Sequence, residues 1–216
     1  ESETASFNST LSDLIPGSTY YYTAFAVNGA GESTGEEMSY KLPEVEEGTL
    51  NDPRDQKVYS TVKIGEQVWM SENLKATVFN DGAEILQISD SADWNHNTGP
   101  AYCWYEDDPQ WKENGALYTW YTINTGKLCP AGWHVPSDTE WRQLEYYLGM
   151  EEEVSATDGY RGTNEGGMLK TTELWNAPNT GATDELLFSA EPSGRRGYRG
   201  EFAHLYTATF FWSNEI

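Results

Sequence analysis

Leu128-Cys129-Pro130-Ala131-Gly132-Trp133-His134-Val135-Pro136-Ser137-Asp138-Thr139-Glu140-Trp141 is the most informative stretch of this 216-residue chain. Its second half reads as the start of a helix. Ser137 as N-cap with Glu140 three residues later is a capping box, in which each residue satisfies a backbone N–H that the first helical turn leaves unpaired. Asp138 adds negative charge at the positive end of the helix dipole. Trp141, Leu144 and Leu148 then recur at i, i+3 and i+7 and form one buried stripe. Gly149 is the expected stop.

Upstream of this helix, Val58 to Ile64 and Gln67 to Met70 read as two short strands separated by Gly65-Glu66. Glycine at the first central position suits a type II′ hairpin turn. Asn80-Asp81-Gly82 marks another turn, Pro100 to Tyr105 is an aromatic stretch, and Asp107-Asp108-Pro109 begins a loop. A second, shorter helix is expected from Ala116 to Asn124, with Leu117, Trp120 and Tyr121 on one face. After Gly149 the chain is rich in Gly, Thr and Asn and yields only short strands, at Leu186 to Ala190 and Ala208 to Trp212. The N-terminal segment, to about Pro43, reads as β structure. Pro16-Gly17 is a reversal, an alternating strand follows from Tyr20 to Val27, Asn28-Gly29-Ala30-Gly31 is a loop, and a last strand lies near Glu36 to Lys41. Residues 44–54, opening with Glu44-Val45-Glu46-Glu47-Gly48, are expected to be an acidic linker.

With 35 acidic against 13 basic residues the net charge is −22, a field that repels phosphate backbones and anionic lipid surfaces. Nucleic acid is therefore not an expected partner. Nine Trp and 14 Tyr supply enough large side chains for a real core and argue against disorder. No apolar run is long enough to span a bilayer. The chain opens at Glu1-Ser2-Glu3 without a signal-like segment and is read as a fragment. Cys103 and Cys129 do not form a C-x-x-C pair, and one disulfide or two free thiols both stay open.

Two resemblances follow from these blocks. Leu14-Ile15-Pro16-Gly17-Ser18-Thr19-Tyr20 resembles the tyrosine corner of a fibronectin type III domain. That would make residues 1–43 its C-terminal strands and Tyr20 the residue whose hydroxyl bonds back to the backbone. Residues 55–216 resemble the Fibrobacter succinogenes major paralogous domain. The resemblance is carried by Val62-Lys63-Ile64-Gly65, Trp69-Met70-Ser71-Glu72-Asn73-Leu74, Tyr102-Cys103-Trp104-Tyr105, Gly115-Ala116-Leu117-Tyr118-Thr119-Trp120-Tyr121, the Leu128–Trp141 stretch, Trp175 to Thr183, and Phe211-Trp212-Ser213. It implies an α+β fold of the C-type lectin-like kind, with small twisted antiparallel sheets and about two helices. It further implies non-catalytic recognition, and an extracellular or outer cell-surface location that includes lipoprotein anchoring. Members usually end on a further strand carrying a cysteine, with which Cys129 would be expected to pair; contact between Cys129 and Cys103 stays open. The family's usual G-G-Y-R turn stands here as Ser193-Gly194-Arg195-Arg196.

The chain contains no G-x-S-x-G, H-E-x-x-H, P-loop or G-x-G-x-x-G motif, so a catalytic role is not expected. Glu106-Asp107-Asp108 is the one stretch that suggests a calcium ligand, though its spacing matches no defined calcium loop. Otherwise no metal or cofactor is expected. His134, between Trp133 and Val135, is read as a core or structural residue. Trp94, Trp104, Tyr105 and Trp111 lie in loop-like segments with Asn95, Asn97, Asp107 and Asp108 nearby. Aromatic faces beside polar groups suit a pyranose ring, so Trp94, Trp104, Tyr105, Asp107, Asp108 and Trp111 are the candidate ligand-binding residues. Trp69, Trp120, Trp133, Trp141 and Trp212 are expected in the core. The resulting expectation is a carbohydrate-binding module. The competing class is a structural or adhesive display module whose partner is a surface protein.

Overall fold

The alternating residues on either side of Gly29-Ala30 close into a long hairpin. The computed structural model describes residues 11, 14, 17–42 and 44–215, which fall into two units, Glu1–Val45 and Glu46–Ile216. In the first, β1 (Thr19–Asn28) pairs antiparallel with β2 (Gly31–Lys41). The turn is tighter than the expected loop because the Asn28 side chain accepts from Ala30 N–H at 2.8 Å. β2 therefore begins at Gly31 rather than near Glu36, and a bulge between Thr23 and Phe25 absorbs the extra residue. Ile15 and Pro16 of the expected tyrosine corner lie outside the described residues.

In the second unit β3 (Glu46–Asn51), β4 (Val58–Ile64) and β5 (Gln67–Met70) form an antiparallel sheet in that order. The β4–β5 hairpin falls where the sequence placed it. Gly65 has φ +60° while Glu66 does not have a positive φ, which is the II′ pattern rather than I′. A Cβ at Gly65 would also come within 2.9 Å of the Tyr147 ring.

The acidic linker expected over 44–54 is a correction. Glu46–Asn51 is a sheet strand, in register from Glu46↔Lys63 to Asn51↔Val58. Its acidic composition is tolerated because the glutamates are exposed and Glu46 faces Lys63 at 3.8 Å. Directly after it, fully buried Asp52 takes a forked pair of bonds from Arg54, Nε to Oδ1 at 2.8 Å and Nη2 to Oδ2 at 2.6 Å. Arg54 Nη1 then donates to the carbonyls of Val78 (2.9 Å) and Leu128 (2.6 Å). One guanidinium thus ties the first sheet to two distant loops.

A second sheet joins β6 (Leu86–Gln87), β7 (Ala101–Cys103) and β8 (Leu117–Tyr118), with β6 parallel and β8 antiparallel to β7. α1 (Ser91–His96) lies between β6 and β7, and two 3₁₀ segments, Tyr105–Asp107 and Pro109–Asn114, follow β7. The helix expected over Ala116–Asn124 shrinks to α2 (Trp120–Ile123). Leu117 and Tyr118 pair with β7 instead, and Thr119 caps what remains. The buried residues are then Thr122 and Ile123. The Thr122 hydroxyl donates to Ala101 C=O and accepts from Ala101 N–H, both at 2.8 Å.

α3 (Asp138–Tyr147) has the full capping box: Glu140 N–H donates to Ser137 Oγ at 3.2 Å, and Ser137 N–H donates to Glu140 Oε2 at 2.7 Å. Leu144 and Leu148 are buried, and Gly149 follows at φ +100°. α4 (Glu152–Ser155), α5 (Glu165–Leu169), β9 (Ser193–Arg196) and β10 (Phe202–Leu205) complete the chain. Among the described residues there are thus five short helices where about two were expected. The expected strands at 186–190 and 208–212 do not form. Leu187 and Ser189 have φ of +54° and +56°, so Leu186, Phe188 and Ala190 are buried from a kinked segment rather than a strand. The result is a mixed arrangement of small sheets and short helices, and among the described residues no helix is long and apolar enough to cross a membrane.

Burial alone would raise the Asp52 pKa, but hydrogen bonds from the Arg54 side chain and backbone outweigh it and hold the carboxyl below its ordinary value. A carboxylate so depressed contributes stability that is complete above that value and is lost as pH falls through the lower folded one. Asp52→Asn or Arg54→Met leaves the other partner buried without its counter-charge, and either should cost about 3 kcal/mol in urea unfolding. The acid limb of the stability curve should be shallower in Asp52→Asn than in the wild type.

Candidate functional site

Of the six residues expected to form a sugar platform, Trp94, Trp104 and Tyr105 are buried, and Asp107, Asp108 and Trp111 are half-buried. Trp94 sits on α1, which Asp90 caps through bonds from Ala92 N–H and Asp93 N–H. Its indole Nε1–H donates to Gly197 C=O at 3.1 Å, and the Arg196 guanidinium stacks 4.4 Å from its ring. Trp104 is buried in the core cluster of Ala76, Phe79, Ile85, Tyr102, Tyr118, Ile123 and Leu128. Tyr105 packs on Phe202 (5.1 Å), and Trp111 lies between Tyr105 and Tyr206. The physical reason is the backbone after β7. Glu106 and Asp107 are consecutive left-handed residues, at φ +51° and +54°, and the two 3₁₀ segments fold these rings inward. Asp107 approaches Arg196 at 3.9 Å, and Asp108 caps the second 3₁₀ segment by accepting from Gln110 N–H. The carboxylates of 106–108 therefore do not converge on a cation, and among the described residues no group of three or more His, Cys, Asp or Glu is placed to hold a metal.

Arg196 is the residue around which this region closes. Its side chain is fully buried and donates to the carbonyls of Ile88 (2.6 Å), Ser89 (2.7 Å) and Gly200 (3.3 Å), with Phe202 on its other side at 4.7 Å. The Ser193–Arg196 segment is thus a structural strand end.

The solvent-accessible site lies elsewhere. A groove of about 670 Å³ opens between β5, the 132–136 loop, the start of α3, residues 188–194 and residues 209–212. Its aromatic wall is a chain of touching rings: Trp69–Trp141 at 4.8 Å, Trp141–Phe211 at 5.4 Å, and Phe188–Phe211 at 5.8 Å. Trp69 is buried, whereas Trp133 and Trp141 are half-buried and Phe211 and Trp212 are 44% and 45% exposed. The wall is pinned from both ends. Trp141 Nε1–H donates to Trp212 C=O (3.3 Å), Trp212 Nε1–H to Tyr118 C=O (3.0 Å), and Asn214 N–H to Pro136 C=O (2.9 Å). The sorting of tryptophans made from sequence is therefore changed in part. Trp69 is buried and Trp120 packs on the core as expected, but Trp94 and Trp104 of the loop set are buried too, Trp111 is half-buried, and Trp133, Trp141 and Trp212 border an open groove.

Several polar groups at the groove are already engaged. His134, expected in a core or structural role, is exposed, and its Nε2 meets Glu140 Oε1 at 2.7 Å. The Ser137 backbone N–H holds the Glu140 carboxyl below its usual range. Burial would raise Glu72, but bonds from Ser60 N–H and Lys75 outweigh it and hold it down. The Asn73 amide donates to Asn114 C=O (2.9 Å) and Ser193 Oγ (2.8 Å). Cys103 and Cys129 are free thiols, and burial pushes each up to about 11. Among the described residues, the buried Trp69 Nε1–H of the lining has no hydrogen-bond partner. The density of tryptophan across 133–141 was the only trace of this site in the sequence.

Residues 62–216 match the family model of the Fibrobacter succinogenes major domain. The chain belongs to this family. No curated protein and no solved structure gives a match. The Fibrobacter succinogenes major domain match begins inside β4 and spans every residue that lines the groove.

Because Trp94 and Trp104 are packed rather than displayed, Trp94→Ala or Trp104→Ala should lower unfolding free energy by about 3–5 kcal/mol, read by denaturant titration. Thiol titration without reductant should count two free cysteines after denaturation. In the native chain at neutral pH both should react slowly, since thiols near pKa 11 carry little thiolate.

Proposed function

We propose that this chain is a non-catalytic recognition module of a secreted or cell-surface protein, with the aromatic groove as its ligand-contacting site. The observation that carries the reading is the continuous ring wall, with Phe211 and Trp212 both close to half exposed. Concave, largely apolar sites of this size are the usual places where proteins take up ligands. Support for non-catalysis comes from the engaged polar groups. Glu140 serves the α3 cap and His134, Glu72 is paired with Ser60 N–H and Lys75, and the Cys129 thiol is protonated at neutral pH. The lectin-like comparison drawn from the sequence points to the same class of activity, and the location, lipoprotein anchoring included, is part of the proposal.

A polypeptide partner fits the groove better than a sugar. Sugar recognition needs unspent polar groups to orient hydroxyls, and the Asn73 amide and Ser193 hydroxyl already bond to one another and to Asn114 C=O. The exposed faces of Phe211 and Trp212 are what favour carbohydrate as the second reading.

Nile red, a neutral apolar dye, should brighten on binding the wild-type chain. Phe211 offers no polar atom to the fold, and Phe211→Ala should weaken that binding about tenfold, the equivalent of about 1.4 kcal/mol. Absence of dye binding would remove the groove as a site. Retention on insoluble polysaccharide that Phe211→Ala abolishes would turn the reading to carbohydrate.

A further inference from the structure

We propose that Asn28 is a site of self-modification. Its side-chain amide is lost without an enzyme, through attack by the backbone nitrogen of Gly29, and the turn between β1 and β2 gains a carboxylate.

The chain contains the same tripeptide twice, Asn28-Gly29-Ala30 and Asn114-Gly115-Ala116, and these hold its two Asn-Gly pairs. Glycine matters because it carries no Cβ to shield its nitrogen or to restrict the backbone around it. Local sequence therefore gives both asparagines the same chemistry, and only the fold separates them.

At the first copy nothing stands in the way. Asn28 ends β1, and Gly29 and Ala30 form the exposed turn that leads into β2. No heavy atom lies within 4 Å of the place that a Cβ on Gly29 would take. The Gly29 N–H makes no hydrogen bond among the described residues, so solvent base can reach it. The electrophile is prepared as well, since Asn28 Oδ1 accepts from Ala30 N–H at 2.8 Å. That bond draws electron density from the side-chain carbonyl and turns the amide toward the backbone that follows, as in an Asx-turn.

The second copy is closed at each of these points. Gly115 is buried, its N–H donates to Lys112 C=O at 3.2 Å, and a Cβ on it would overlap Asn73 Cβ. The Asn114 carbonyl accepts from the Asn73 amide at 2.9 Å and from the Ser193 hydroxyl at 3.1 Å. Rotating this backbone to bring the Gly115 nitrogen onto the Asn114 side chain would break those bonds.

The reaction consumes only water. Hydroxide removes the Gly29 N–H proton, the nitrogen bonds to Asn28 Cγ, and the Cγ–Nδ2 bond breaks to release ammonia. Water then opens the cyclic succinimide at either carbonyl. One opening leaves aspartate. The other leaves isoaspartate, whose backbone runs through the former side chain and is one carbon longer. Both products add negative charge to a chain already at −22. The isoaspartate form also lengthens the backbone at the Asn28↔Gly31 pair that closes the hairpin.

The test is incubation of the intact chain in mildly alkaline buffer at body temperature, with digestion and mass spectrometry at intervals to follow each Asn-Gly peptide. The Asn28 peptide should show the mass change of amide-to-acid exchange and split into aspartate and isoaspartate forms, faster as hydroxide rises. Asn114 should convert at least about tenfold more slowly, because it must wait for a local opening that costs about 1.4 kcal/mol or more. In urea the two should react at similar rates. Gly29→Ala is accommodated, with open space for the methyl and no left-handed φ to satisfy, and it should remove most of the conversion at Asn28 over the same period.

Equal rates at Asn28 and Asn114 in the native chain would overturn the proposal. So would an Asn28 amide that persists in the native chain yet converts in urea. Conversion undiminished in Gly29→Ala would mean direct hydrolysis rather than attack by the neighbouring nitrogen, and would overturn it too.

Discussion

The fold of the larger unit depends on one buried ion pair. Arg54 spends its guanidinium on the Asp52 carboxylate and on the carbonyls of Val78 and Leu128. Those carbonyls belong to turns that close the core around Phe79 and Leu128. Burying a charge is costly unless it is paired and its remaining hydrogen-bonding positions are filled, and here the forked geometry fills them. The pair explains why a short, acidic, strand-forming stretch can open the domain. β3 supplies little buried apolar surface of its own, and it is anchored by the ladder to β4 and by the clamp that follows it.

Arg196 plays the corresponding part at the other end of the chain. It lies between Trp94 and Phe202 and donates to three carbonyls contributed by segments about a hundred residues apart in sequence. An arginine suits this role because its flat fork can stack and donate at once, which an ammonium cannot. With Arg196 in place, Trp94 and Phe202 become its packing partners, Tyr105 packs on Phe202, and Trp94, Trp104 and Tyr105 become interior.

What was legible in the chain was what local physics decides. The β4–β5 hairpin follows from strand alternation around a glycine that alone tolerates its φ and the nearby Tyr147 ring. The capping box of α3 follows from two residues three apart. Where a long-range partner intervened, local reading failed. Leu117 has helical spacing with Trp120 and Tyr121, yet β7 recruits Leu117 and Tyr118 into a sheet. Leu186, Phe188 and Ala190 alternate like a strand, yet two left-handed residues between them give the same burial without one. The acidity of 44–54 suggested a linker because composition carries no record of the strand waiting to pair with it.

Helix starts, tight turns, the sign of the charge and the family were written in the residues themselves, because each depends on neighbours a few positions apart or on composition and order. Which tryptophans would be core and which would face a groove was not. An indole has the same periodicity and hydrophobicity in either place. Its exposure is set by whether an arginine, a sheet or a strap of distant sequence arrives to cover it, and that is a property of the assembled fold.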